Sequence, residues 1–93
     1  MLLIDVPSNG RSGVNFTSFT QTDLPRPTSG YDSEINNDLI LKFEDEQEAI
    51  DYIDVLRDFA TQNNLSVPLS DIISDLIDSV STNSFVQSYL GNR

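Results

Sequence analysis

The sequence predicts an α+β fold, with a small antiparallel sheet of about three strands and two to three helices packed on one face. The first half of the chain contains short apolar runs with period-two alternation, whereas in the second half apolar residues recur every three or four positions. Strands that come before helices, rather than alternating with them, are typical of this class. A length of 93 residues with 38% hydrophobic content suits one domain, so we expect a single domain over 1–93.

Three segments fit strands. Residues 1–6, "MLLIDV", form an apolar run that ends at Pro7, and residues 13–22, "GVNFTSFTQT", are rich in Val, Phe and Thr. Residues 38–43, "DLILKF", show the clearest alternation of side chains between two faces. Between the last two, residues 23–37 contain two prolines, a glycine and many Asn, Asp and Ser residues, which predicts a loop or mobile arm.

A first amphipathic helix is predicted over residues 44–62. Asp45 suits the N-cap position, and Glu48 three residues later completes a capping-box pattern. At 100° per residue, one arc of about 120° is apolar. It contains Ala49, Tyr52, Ile53, Leu56, Phe59 and Ala60.

A second amphipathic helix follows, with Pro68 in its first turn. Its apolar positions are Leu69, Ile72, Ile73, Leu76, Ile77 and Val80. We expect Asp71, Asp75 and Asp78 on its outer face. Asn83 suits the cap of a last short helix that stops near Gly91.

Composition excludes several functions. The chain has no cysteine and no histidine, which removes thiolate nucleophiles, His general bases and Cys/His zinc sites. Its five bases are scattered, so direct binding to nucleic acid or to an anionic membrane surface is not expected. No run approaches the ~20 apolar residues of a membrane span. We therefore expect a cytoplasmic, non-enzymatic protein without a cofactor or a bound metal.

The net charge of −10 is concentrated in the middle of the chain, where residues 31–60 carry ten acids and two bases. On the first helix, acids share one arc and lie next to other acids, although like charges at i,i+3 or i,i+4 destabilise a helix. A solvated helix face is the simple explanation for such a pattern. The alternative is a contact surface for a basic partner, made by Glu44, Glu48, Asp51, Asp54 and Asp58, with Asp45, Glu46 and Asp75 as flanking charges.

The helix "EDEQEAIDYIDVLRD", in a short chain without Cys or His, resembles small phage- or virus-encoded acidic proteins that mimic DNA. These include anti-restriction proteins, anti-CRISPR proteins and inhibitors of DNA-repair glycosylases. The resemblance implies an inhibitor that occupies the basic nucleic-acid-binding surface of a host defence or DNA-processing protein. The host cytoplasm would then be its location.

A second hypothesis is a small adaptor or assembly subunit that associates through apolar helix faces, with the acids serving solubility alone. The same apolar faces offer a homodimer as an alternative. The candidate seam consists of Leu76, Ile77, Phe85 and Tyr89.

Overall fold

The fold is described from a computed structural model, which covers residues 1–10, 13–33 and 37–91, with 89–91 described by their backbone alone. The elements in chain order are β1 (Leu2–Val6), α1 (Phe16–Thr20), β2 (Tyr31–Ser33), β3 (Leu39–Phe43), α2 (Glu46–Gln62), α3 (Val67–Ser81) and α4 (Ser84–Gly91). The three strands form an antiparallel sheet in the order β1-β3-β2. The predicted α+β class is therefore confirmed.

The core lies between one face of the sheet and the helices. Because β3 is the central strand, Leu39, Leu41 and Phe43 are fully buried on that face. Register places Ile4 beside Leu41, and both belong to the same core cluster. The opposite face of the sheet carries more polar and exposed side chains. They are Leu3, Asp5, Asp32 and the half-buried Lys42, around a buried Ile40 that lies outside the core cluster.

The predicted strand over residues 13–22 is wrong, because Phe16–Thr20 form the short helix α1. The side chain of Asn15 caps this helix by accepting a hydrogen bond from the backbone N–H of Ser18 at 2.9 Å. Asn is a favoured N-cap residue, and this local bond outweighs the β propensity of the Phe and Thr residues.

The segment 23–37 is not a loop throughout, because Tyr31–Ser33 form β2 at the edge of the sheet. The ring of Tyr31 packs against Phe16 and Phe19, with ring centroids 5.6 and 4.9 Å apart. Leu24 is buried against the core as well. Residues 34–36 of the predicted arm lie outside the described residues.

The predicted first helix begins two residues later than expected. Asp45 is the N-cap, its side chain accepting from the backbone N–H of Glu48 at 2.9 Å, so Glu44 precedes the helix. Most of the predicted apolar arc is buried. Ile50 is buried too, whereas Ala60 is exposed near the C-terminal end, where the helix extends beyond the core.

The last two helices agree with the pattern in the sequence. α3 buries Ile72, Ile73, Leu76 and Val80, and it carries a proline in its first turn. Asn83 caps α4, its side chain accepting from the backbone N–H groups of Phe85 and Val86 at 3.0 and 3.3 Å.

Candidate functional site

The exposed side of α2 presents three carboxylates in succession. Asp51, Asp54 and Asp58 are exposed, and Val55 lies among them with 48% of its surface accessible. The helix has 17 residues, which corresponds to a length of about 25 Å. These three predicted contact residues therefore share one side of a rigid element.

The charges of these residues are not neutralised within the described part of the chain. There, Asp51, Asp54 and Asp58 form no ion pair, although Asp51 accepts a hydrogen bond from the side-chain amide of Gln47 at 2.9 Å. Elsewhere, Lys42 forms an ion pair with Asp32, at 2.6 Å, on the open face of the sheet. The negative potential of the helix face is thus left available to solvent or to a partner.

The predicted contact residues at the start of the helix have a different setting. Glu44 precedes the helix, Asp45 is its N-cap and Glu46 is its first residue, so these acids lie around the N-terminus of α2 rather than along its side. Glu44 and Asp45 are exposed, and Glu46 is half-buried. Negative charge is favoured there by the helix dipole, and Asp45 also serves as the cap. These acids border a groove of about 240 Å³ beside the N-terminus of α2. Its other lining residues are Met1, Leu2 and Phe85.

Glu48 has a structural partner. It is half-buried, and its Oε1 accepts a hydrogen bond from the Ser29 hydroxyl at 2.9 Å. This bond joins a loop residue to a residue of α2 that lies 19 positions later in the sequence. Glu48 therefore holds the loop before β2 against α2 as well as contributing charge.

The prediction that Asp75 lies on the outer face of α3 is wrong. Only 8% of its surface is accessible, and its Oδ2 lies 3.1 Å from the point where a Cβ on Gly10 would stand. The residue therefore packs under the turn after β1, where a Cβ at position 10 would make an unusually close contact with the carboxylate. It is too deeply buried to act as a flanking charge for a partner.

A groove runs along α2, and the sequence did not predict it. One compartment, of about 220 Å³, lies between the helix and the segment 26–28, with Tyr52 and Phe43 at its base. A second compartment, of about 310 Å³, is lined by Pro25, Val55, Asp58, Phe59 and Gln62. Val55 lines both, so the two compartments adjoin at this residue.

The far wall of the groove is tied to the helix. The Tyr52 hydroxyl donates a hydrogen bond to the carbonyl oxygen of Pro25 at 2.8 Å, and burial of the phenol raises the pKa of Tyr52. Arg26, on the same wall, stacks over the Tyr31 ring, with 5.6 Å between the guanidinium carbon and the ring centroid. Because Tyr52 and Pro25 are 27 residues apart, no local sequence pattern signals their contact.

Across the residues that the structure describes, no cluster of three or more Asp or Glu side chains is placed to hold a metal ion. In the same part of the chain, no helix combines the length and apolar character that crossing a bilayer requires. Leu76, one residue of the candidate homodimer seam, is fully buried in the core and cannot contact a second copy. The side chain of Tyr89, another seam residue, lies outside the described part of the chain.

The fold and the site define a small α+β protein with an acidic, grooved helix face. No protein-family model matches the chain, and no curated protein or solved structure is significantly similar to it.

Proposed function

We propose that the protein binds the basic surface of a nucleic-acid-binding protein through the acidic side of α2. One observation carries the proposal, namely the row of exposed carboxylates on Asp51, Asp54 and Asp58 without an ion-pair partner in the described part of the chain. A helix under selection for stability alone gains from opposite charges at these spacings and loses from like charges. The arrangement therefore favours a contact surface over simple solvation.

The spacing of the acids supports DNA mimicry. Along a helix with a rise of 1.5 Å per residue, Asp51, Asp54 and Asp58 are separated by about 4.5 and 6 Å. Phosphates along one DNA strand are about 3.4 Å apart along the axis. Glu44 and Asp45 continue the negative charge beyond the N-terminus of α2. Attraction of this kind steers a basic partner over long range and weakens as salt is added.

The biological role that fits this chemistry is inhibition. A protein that fills the DNA site of a restriction, CRISPR or DNA-repair enzyme blocks that enzyme without any catalytic group of its own. Such an inhibitor acts in the host cytoplasm and belongs with phage-encoded counter-defence proteins. These assignments rest on the acidic helix and on the resemblance that it carries.

An affinity capture tests the proposal. The immobilised protein is exposed to a nuclease-treated lysate of the source host at low salt, and bound proteins are eluted with a salt gradient and identified. We expect a DNA- or RNA-processing protein that leaves below about 0.5–1 M salt, where the Debye length falls to a few Å. The variant D51N/D54N/D58N should not retain it. A partner that stays bound in 1 M salt and ignores these substitutions would contradict the proposal.

One observation favours the second hypothesis, an adaptor that associates through apolar surface. Phe85 is 63% exposed at the start of α4, and it borders the groove that Met1 and Leu2 also line. Isolated exposed apolar residues are common, but a phenylalanine in a groove suits an apolar contact. An apolar complex persists or tightens at high salt, so the same gradient distinguishes the two functions.

A further inference from the structure

The groove along α2 combines apolar walls with an acidic edge. Pro25, Tyr52, Val55 and Phe59 supply its apolar surface. Glu48 and Asp51 border one compartment, and Asp58 borders the other. A surface that only mimics DNA needs no such apolar strip, because a phosphate-binding protein recognises the DNA backbone by its charge.

Two hydrogen bonds fix the walls of the groove relative to each other before any partner binds. The Tyr52–Pro25 hydrogen bond ties the proline segment to the middle of the helix, and the Ser29–Glu48 bond ties it again one turn earlier. Pro27 is buried between these two points. A preformed groove loses little entropy when it is filled, which favours binding.

The size of the groove suits side chains rather than a small-molecule ligand. Its compartments of about 220 and 310 Å³ lie at or below the lower end of the roughly 300–1,000 Å³ typical of ligand pockets. From Glu48 to Gln62 the helix rises about 21 Å. An extended peptide advances about 3.3 Å per residue, so about six residues span the groove.

We infer that the groove takes a short basic segment of the partner protein, with one aliphatic or aromatic side chain seated beside Val55 and with Lys or Arg residues on either side. Charge complementarity identifies the occupant, since the exposed acids along this side of α2 lack ion-pair partners in the described part of the chain. The inference rests on the proposed function and adds to it an apolar anchor. Nucleic acid itself is repelled by the same carboxylates.

Synthetic peptides provide the probe. One peptide has a central leucine with three lysines on each side, and its control has glycine in place of leucine. Calorimetric titration of the full chain at low salt should give about tenfold tighter binding for the leucine peptide, which corresponds to about 1.4 kcal/mol. Amide chemical shifts of Val55 and Phe59 should move with the leucine peptide and much less with the glycine peptide.

Two matched variants locate the anchor. Val55→Thr keeps the shape of the side chain and replaces a methyl group by a hydroxyl on an exposed helix face, so the fold is retained. Val67→Thr makes the same change at a valine that is 73% exposed in the first turn of α3, away from the groove. We expect Val55→Thr to remove most of the leucine advantage and Val67→Thr to leave it unchanged.

The outcomes separate this inference from the proposed function. Equal binding of both peptides, or a leucine advantage that survives Val55→Thr, overturns the anchor. In that case, the glycine peptide still tests the proposed function. If its binding is lost at high salt and in D51N/D54N/D58N, the acidic contact surface is supported and only the apolar anchor is rejected. If neither peptide binds at low salt, both the anchor and the acidic contact surface are contradicted.

Discussion

The hydroxyl of Tyr52 donates a hydrogen bond of 2.8 Å to the carbonyl oxygen of Pro25, and this bond joins the middle of α2 to the segment that precedes β2. Only 5% of the tyrosine is accessible, and its ring packs against Phe43 with centroids 5.6 Å apart. The bond therefore links the core, the acidic helix and the wall of the groove.

Removing this hydroxyl should cost stability. Tyr52→Phe keeps the ring packing but leaves the Pro25 carbonyl without its partner, for which we expect a loss of about 1 kcal/mol. In a domain of this size, the melting temperature should fall by about 4–8 °C. Thermal denaturation followed by circular dichroism measures the change, and an unchanged melting temperature would show that the bond contributes nothing.

The same residue gives a pH dependence. Because burial raises the pKa of Tyr52 above its ordinary value of 10.0, the folded state holds the phenol proton more tightly than the unfolded chain. This contribution is fully present below about pH 10 and is lost as the pH rises further. Between pH 8 and 11, the melting temperature should fall more steeply with rising pH for the wild type than for Tyr52→Phe. An equal pH dependence in the two proteins would contradict a raised pKa for Tyr52.

Asp38 should act in the opposite pH range. Its carboxylate accepts a hydrogen bond of 2.8 Å from the backbone N–H of Ser8, and this bond lowers the pKa of Asp38 below its ordinary value of 3.8. A lowered pKa contributes stability above about pH 4 that is lost as the pH falls through the folded-state value. The stability difference between the wild type and Asp38→Asn at pH 7 should therefore shrink at pH 2–3, as acid titration of unfolding would measure. A constant difference would exclude this carboxylate from acid unfolding.

Repulsion among Asp51, Asp54 and Asp58 should lower the free energy of unfolding. D51N/D54N/D58N removes like-charge neighbours at i,i+3 and i,i+4, each worth about 0.2–0.5 kcal/mol. Since Asn and Asp have similar helix propensities, we expect the variant to be up to about 1 kcal/mol more stable at low salt. Urea denaturation with and without 1 M salt checks this, because added salt screens the repulsion and should remove the gain. A less stable variant would indicate that these carboxylates make stabilising contacts.

Arg26 should limit binding to basic peptides. It lines the compartment that Glu48 and Asp51 border, and it is a positive charge at a site that otherwise attracts positive charge. Arg26→Gln should strengthen binding of the lysine-rich leucine peptide up to about fivefold, as expected for a charge interaction of up to about 1 kcal/mol at an exposed site. Weaker binding after this substitution would instead assign Arg26 to the partner contact.

Much of the fold was predictable from periodicity. The alternation in Leu39–Phe43 and the spacing of Ile72, Leu76 and Val80 are local patterns, and the elements that they predict are present. The helix at Phe16–Thr20 was missed because a single capping residue, Asn15, outweighed a β-like composition.

The candidate site was only partly predictable. Helical spacing placed Asp51, Asp54 and Asp58 on one side, and they are exposed there. The same spacing placed Asp75 outside, but the turn containing Gly10 covers it. The groove depends on contacts between residues far apart in sequence, such as Tyr52 and Pro25, and local patterns carry no information about those.

Competition with DNA tests the central claim most directly. A partner captured on the immobilised protein at low salt is challenged with duplex DNA at constant ionic strength, and capture is compared between D54N/D58N and D71N/D78N, which remove equal charge from α2 and from α3. We predict that DNA releases the partner and that only D54N/D58N weakens capture. A partner that remains bound in excess duplex DNA, or equal losses in the two variants, would contradict the claim that the acidic side of α2 occupies a nucleic-acid-binding surface.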